Sequence, residues 1–158
     1  MVLGRRKDEQ WNGLDRRAAP KVLVVNDDPS ACEMLVRMIG TKGFNAIGAT
    51  RPDEATGRIA DELPRCIVLD LDAGGVGTGL KVLDTIRNHE DLRVSTARVV
   101  LCAASPKNRS FSFQSGADAF LVRPFHLDDL TDQITDVLER AHEDRARHRR
   151  DELARHGD

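Results

Sequence analysis

The sequence predicts an α/β domain in which helices cover both faces of a parallel sheet. Five short apolar runs alternate with helical patterns, and such a βαβ series forms a parallel sheet. The first, third and fourth runs are apolar throughout and rich in Val, Ile and Leu, as in strands buried on both faces. The chain has 158 residues, enough for one domain with a core and short for two.

The first strand, residues 22–25, is followed by the turn 26–29, in which Asp28 and Pro29 are typical of an entry into a helix. The helix then carries apolar residues three and four positions apart, until the glycines at 40–43 end it. The run 44–49 predicts a second, weaker strand, which we expect at a sheet edge.

A second helix begins near Pro52 and is stopped by Pro64, and the third strand, Cys66–Leu69, ends at Asp70. The glycine-rich loop 72–79 has no Gly-Lys-Ser/Thr ending, so it is not a phosphate-binding P-loop. We expect its glycines to let the backbone pass close to Asp70.

The second half of the chain repeats the alternation of strand and helix. A helix follows the glycine-rich loop, and a polar linker, residues 88–97, precedes the fourth strand. A short segment with two phenylalanines leads to the fifth strand. The last helix begins near Leu127, with an apolar stripe to Ala141. The fourth and fifth strands are expected at 99–102 and 119–122.

Both ends of the chain are charged. Residues 1–20 show no sustained period and are expected to be a flexible lead-in to a domain at 21–141. Residues 142–158 predict a solvated helical extension with i, i+4 ion pairs. Histidines in this half lack metal-ligand spacing and are expected at the surface; they are His126, His142, His148 and His156.

The composition excludes several classes of function. A formal net charge of −2 gives no electrostatic case for nucleic-acid binding. No stretch has the length of a membrane span or the apolar core of a signal peptide. The three cysteines, Cys32, Cys66 and Cys102, lie in apolar segments and are expected to be reduced core thiols, as in a soluble cytoplasmic protein.

Three strand ends carry polar or charged side chains: Asn26 and Asp27 after the first, Asp70 after the third, Arg123 after the fifth. The strand order 2-1-3-4-5 of a flavodoxin-like (βα)5 doubly wound sheet would bring them to one crevice. Two carboxylates there need a cation or a proton to coexist, and Mg²⁺ is the natural cation. A carboxylate beside Mg²⁺ can attack a phosphoryl group.

Four segments in this order make the sequence resemble a receiver domain of the two-component response regulator family, over about 21–141. They are VLVVNDDP (22–29), IVLDLD (67–72), GADAFL (116–121) and RPF (123–125).

The resemblance implies roles for single residues. Asp70 is the phosphoacceptor, and Asn26, Asp27 and the backbone carbonyl of Asp72 complete a Mg²⁺ site with it. Arg123 takes the place of a lysine that precedes a cis-proline. That proline is Pro124, and Phe120 is the aromatic switch residue.

The sequence departs from the family pattern at the site. Asn26 replaces an acid, the loop after Asp70 is one residue longer, and Arg123 is a rigid planar donor rather than Lys. Ala103 stands where the family has a Ser or Thr that binds the phosphoryl group. The one hydroxyl within reach is Ser105, a possible substitute.

The expected function is a receiver that accepts a phosphoryl group on Asp70 with Mg²⁺ from a histidine kinase or phosphotransfer protein. Its chemistry is at most self-catalysed transfer and dephosphorylation, not metabolic catalysis. The alternative is a phosphorylation-independent pseudo-receiver that acts as a protein-interaction module. A flavodoxin-type cofactor binder fits poorly, because the chain has no Tyr and one Trp.

We expect no output domain after Ala141, and therefore output through a protein partner. In the family the usual face is made by the fourth helix, fifth strand and fifth helix. Here this output surface comprises Phe111, Phe113, Phe120 and the last helix, and homodimerisation through it is a further expectation.

Overall fold

The computed structural model describes residues 19–155, without the side chain of Val76. Its sheet has five strands in the order β2-β1-β3-β4-β5, all parallel, which confirms the predicted topology. Most of the expected lead-in and His156 lie outside the described residues. The strands are β1 (Lys21–Val25), β2 (Asn45–Ala49), β3 (Cys66–Asp70), β4 (Arg98–Ala103) and β5 (Ala119–Val122).

The helices fill the intervals between strands, with two short additions. The expected polar linker contains a four-residue helix, and a 3-10 turn, Pro106–Asn108, precedes the phenylalanine segment. The helices are α1 (Pro29–Gly40), α2 (Pro52–Glu62), α3 (Val76–Arg87), α4 (Leu92–Ser95), α5 (Arg109–Gln114), α6 (Leu127–Glu139) and α7 (His142–Arg155).

Both faces of the sheet are buried, because side chains alternate along each strand between two apolar clusters. Helices α1 and α6 cover the face that contains Val68 and Val100. Helices α2, α3 and α5 cover the opposite face, which contains Leu69 and Leu101. This two-sided burial is the physical reason for the unbroken apolar runs of the central strands. Strand β2 lies at an edge, as expected.

The last helical stretch is broken in two. Arg98 on β4 donates from Nε to the Val137 carbonyl (3.2 Å) and from Nη2 to the Arg140 carbonyl (2.9 Å). These bonds satisfy carbonyls that a helix end leaves free. The backbone becomes extended at Arg140, and α7 starts at His142.

Helix α7 is helical as expected, but it packs on the domain rather than standing in solvent. Arg145 and Glu152, on one of its sides, are 5% and 6% exposed. The sequence pattern suggested a solvated helix because only Leu153 is large and apolar. The actual packing uses buried ion pairs, which a hydrophobic period does not reveal.

No helix among residues 19–155 combines the length and the apolar character that crossing a membrane requires. Cys32, Cys66 and Cys102 are all buried and unpaired, which confirms the expectation of core thiols.

Candidate functional site

Asp70 ends β3 and lies at the carboxyl edge of the sheet, between β1 and β4. Its Oδ2 accepts hydrogen bonds from Asn26 Nδ2 (3.1 Å) and Arg123 Nη1 (3.1 Å). Its Oδ1 accepts from the Asp72 amide (2.9 Å). The side chain is 12% exposed. The structure thus brings residues from three predicted strand ends into direct contact, as the sequence suggested.

The electrostatics of Asp70 are those of a partly buried acid. Burial raises the pKa of the Asp70 carboxyl, and the Asp72 amide and the Arg123 guanidinium offset that rise only in part. Because these contacts leave the pKa above its usual value, the ionised form of Asp70 is disfavoured by its surroundings. A further cation or a phosphoryl group would change that balance.

Arg123 bridges two acids rather than one. Its Nη2 donates to Asp72 Oδ2 at 2.7 Å while Nη1 holds Asp70. Asp72 Oδ2 also accepts from the Ala104 amide at 2.9 Å, which connects it to the end of β4. Sequence reasoning assigned only a backbone role to Asp72. The signal for its side chain was the Arg in place of Lys, because a planar fork can hold two carboxylates.

Asp27 lies across the crevice, on the loop after β1. Its Oδ2 accepts a hydrogen bond from the Gly74 amide at 3.1 Å. Asp28, by contrast, caps α1, and its Oδ1 accepts from the Ser30 and Ala31 amides. The two neighbouring acids therefore have separate roles, and only Asp27 faces the loop that follows Asp70.

The first turn of α3, which includes the end of the glycine-rich segment 72–79, contains a position that only glycine fits. A Cβ on Gly79 would collide with the Leu71 backbone carbonyl, whereas a Cβ on Gly77 meets nothing within 4 Å. Gly74 and Gly75 have φ of +68° and +96°, in the region that favours glycine. The close approach is therefore made by the first turn of α3, which packs against the backbone of the residue that follows Asp70, whereas the sequence predicted a loop over the whole of 72–79.

Strand β4 presents no hydroxyl at the site. Ala103 is buried at the end of β4, and its carbonyl accepts from the Arg123 amide at 2.8 Å. The Ser105 Oγ accepts from the Lys107 amide at 3.2 Å and so caps the 3-10 turn. In the described part of the chain, no hydrogen bond joins this hydroxyl to Asp70.

The remaining predicted residues lie on β5 and just beyond it. The Arg123–Pro124 peptide bond is cis. Phe120 is 6% exposed, and its ring packs against the guanidinium of Arg109, whose Cζ lies 5.6 Å from the ring centroid. A mainly apolar cavity of about 310 Å³ reaches from Asp70 and Arg123 to Met34 on α1.

A second charged cluster, which sequence reasoning missed, lies at the amino ends of the strands, opposite the Asp70 site. Asp118 is 1% exposed, and Arg87, Arg145 and Arg149 contact its carboxylate at 2.9–3.4 Å. The Val99 amide donates to its Oδ2 at 2.9 Å. Burial by itself raises the pKa of Asp118, but these donors together hold it below its usual value.

Comparisons with known proteins agree with this geometry. Residues 22–135 match a family model described as the response regulator receiver domain. The transcriptional regulatory protein PrrA of Mycobacterium tuberculosis is 31% identical over 126 residues, 77% of this chain and 51% of that protein. The chain spans about half the length of the curated relatives it matches.

Two solved structures share the fold. The chemotaxis response regulator CheY4 of Vibrio cholerae has a TM-score of 0.68 and 22% identity, over 76% of this chain and 99% of that chain. The receiver domain of the Francisella response regulator 1452 has a TM-score of 0.67 and 24% identity, over 76% and 97%.

Proposed function

Because the chain belongs to the response regulator receiver family of two-component systems, we propose that it accepts a phosphoryl group on Asp70. The donor would be a histidine kinase or a phosphotransfer protein, and the output would pass through a protein partner. The observation that carries this proposal is the Asp70 site itself. A largely buried carboxylate at the end of β3 is in contact with Asn26 and with the cation of Arg123.

The donor set of this site fits Mg²⁺. Asp70 and Asp72 share the guanidinium of Arg123, and Asp27 binds the loop that follows them, so these four side chains carry a formal charge of −2. Mg²⁺ prefers oxygen ligands and retains several waters. Within residues 19–155, no three His, Cys, Asp or Glu side chains are arranged to hold a metal ion. The ligands of the cation would be the Asp27 and Asp70 carboxylates, the Asp72 backbone carbonyl and water, and Asn26 would hold one of these waters.

When bound, Mg²⁺ would neutralise charge on the phosphoryl oxygens. The chain's own residues do the rest. A carboxylate oxygen of Asp70 forms a bond to phosphorus as the bond from phosphorus to the donor's imidazole nitrogen breaks, and the imidazole leaves with that electron pair. Arg123 can turn from the Asp70 carboxylate to the new phosphoryl oxygens. The Ala104 amide, now bonded to Asp72, is a second donor at that position.

A specific observation also favours the alternative, a pseudo-receiver that binds partners without phosphate. Arg123 already occupies Asp70 and Asp72 with two hydrogen bonds, and Ala103 supplies no hydroxyl to bind a phosphoryl group. A site closed by its own ion pairs could hold one constant conformation. In either case we propose a signalling protein without metabolic activity, located in the cytoplasm, where buried unpaired cysteines remain reduced.

The experiment that separates the two functions is phosphorylation by a small phosphoryl donor. The full chain is incubated with phosphoramidate and Mg²⁺, and the intact mass and a ³¹P acyl-phosphate signal are measured. The receiver function predicts one added phosphoryl group that is absent without Mg²⁺ and absent in Asp70→Asn. Asp28→Asn is the matched control, because Asp28 only caps α1. No incorporation at saturating donor would refute the receiver function and favour the pseudo-receiver.

A further inference from the structure

Helix α7 lies beyond residues 22–135, which match the family model, yet it packs along the output surface. Its His148 ring contacts the edge of Phe113 with ring centroids 6.3 Å apart. Its Leu153 packs against the apolar cluster that contains Phe113 and Phe120. A segment of the chain therefore covers the surface through which we expected a partner or a second copy to bind.

The two halves of α7 are held with different strength. In the first half, Arg145 donates from Nε to Asp118 Oδ1 (2.9 Å) and from Nη2 to Oδ2 (3.0 Å). It also donates to the Thr96 and Ala97 carbonyls. A bidentate, buried ion pair of this kind fixes geometry firmly. The first half of α7 is thus firmly attached to the domain.

In the second half of α7, Arg149 reaches Asp118 only at a longer distance of 3.4 Å, and Glu152 joins the helix to Arg109 on α5. Glu152 Oε1 accepts from Arg109 Nη2 at 2.9 Å, and Leu153 is the one large apolar residue of the helix. Among residues 19–155, Arg109 Nε is buried and finds no hydrogen-bond partner. A buried donor without a partner destabilises the conformation that contains it. In the docked position of the second half, this N–H group is therefore shielded from water without a partner among the described residues.

Arg109 connects this contact to the Asp70 site. Its guanidinium carbon lies 5.6 Å from the ring centroids of both Phe113 and Phe120. Phe120 is on β5, three residues before Arg123, which holds Asp70. One stretch of backbone therefore joins the Arg123 side chain at the Asp70 site to the Phe120 ring beside Arg109.

We propose that the second half of α7, residues 148–155, is a displaceable cap on the output surface, and that phosphorylation of Asp70 releases it. The inference rests on the proposed function. The Arg145–Asp118 pair keeps the first half attached, while loss of the Arg109–Glu152 contact exposes Phe113 and the edge of β5. By linkage, any change that weakens the cap must also strengthen phosphoryl-analogue binding at Asp70.

The test is hydrogen–deuterium exchange of the full chain, with and without beryllofluoride and Mg²⁺. Glu152→Gln removes the charge that pairs with Arg109. We expect amides 148–155 to exchange on the order of tenfold faster in this variant, as for the loss of one charge-assisted hydrogen bond. Wild type with beryllofluoride should show faster exchange in the same segment. Asp151→Asn, with the same charge change on the exposed side of α7, should behave as wild type.

The reciprocal measurement is the beryllofluoride affinity of each variant. Glu152→Gln should bind several-fold more tightly than wild type, and Asp151→Asn should not. Protection of the loop after Asp70 by beryllofluoride, with unchanged exchange at 148–155 and equal affinities, would overturn the cap while the proposed function stands. If beryllofluoride changes exchange nowhere, the proposed function fails and release by phosphorylation fails with it. Faster exchange in Glu152→Gln would then show the docking contact alone.

Discussion

Replacing Asp118 by Asn should cost the protein a large part of its stability. The carboxylate is fully enclosed, and it accepts hydrogen bonds from the Val99 amide and from Arg87, Arg145 and Arg149. The Asn side chain has no charge, and its amide group places two N–H donors where these donors already point. The variant would therefore leave several guanidinium groups buried without their counter-charge.

The magnitude follows from the burial. Removing one partner of a buried ion pair costs about 3–5 kcal/mol, because the remaining charge stays desolvated. With a urea dependence of about 2 kcal/mol per M, the unfolding midpoint should fall by roughly 1.5–2.5 M. Since small domains have a total stability of about 5–15 kcal/mol, the variant would keep its fold only marginally.

The pH dependence gives a second readout. The pKa of Asp118 is below its usual value in the folded protein. The stability that its carboxylate contributes is therefore complete above the unfolded pKa of about 3.9 and is lost as the pH falls through the folded value. The difference in unfolding free energy between wild type and Asp118→Asn should shrink in acid.

Asp151→Asn is the control, since Asp151 is exposed on the far side of the same helix. Its free energy of unfolding should stay within about 0.5 kcal/mol of wild type. A midpoint loss under about 0.5 M in Asp118→Asn, or a difference that persists undiminished in acid, would refute the view that this cluster stabilises the fold.

Four further variants test the site. Asp70→Asn should raise the free energy of unfolding by about 0.5–2 kcal/mol at pH 7. Burial raises the pKa of Asp70, so the stability that this side chain contributes is complete below the unfolded pKa and falls as the pH rises. A lower midpoint of thermal unfolding in the variant would contradict this. Gly79→Ala should lower the free energy of unfolding, measured in urea, by about 1–3 kcal/mol, because the new Cβ collides with the Leu71 backbone. Gly77→Ala should raise it by about 0.5–1 kcal/mol. Equal effects of the two substitutions would argue against the close approach of Gly79 to Leu71. Arg123→Lys should lower the free energy of unfolding, measured in urea, by about 1 kcal/mol, because one ammonium group cannot replace the two hydrogen bonds by which Arg123 joins Asp70 to Asp72. Unchanged stability would count against a stabilising role for these two bonds.

The sheet could be predicted from the sequence because short apolar strand segments recur along it at regular intervals. Residues 66–69 are apolar throughout and are covered on both sides, and Asp70 marks the end of the strand. The strand order was taken from the flavodoxin-like doubly wound sheet, which brings the strand ends that carry Asn26, Asp70 and Arg123 to one crevice. Those three residues are in contact as expected.

The side chain of Asp72 and the packing of α7 could not be predicted in this way. Both depend on arginines that reach across the fold: Arg123 to Asp72, and Arg145 to Asp118 over 27 positions. An arginine that will be buried looks like a solvated one in a single sequence, because the partner lies far along the chain. Periodicity reports apolar faces and is silent on such pairs.

The Arg145–Asp118 pair has a practical consequence for anyone who recombines this module with other proteins. A chimera joined at residue 136 or 142, where the family match or the apolar stripe stops, would separate an acid from its enclosed counter-ion. A joint placed after Arg155 would keep both in one polypeptide. For modular engineering, the cooperative unit therefore extends one full helix past the sequence family's own boundary.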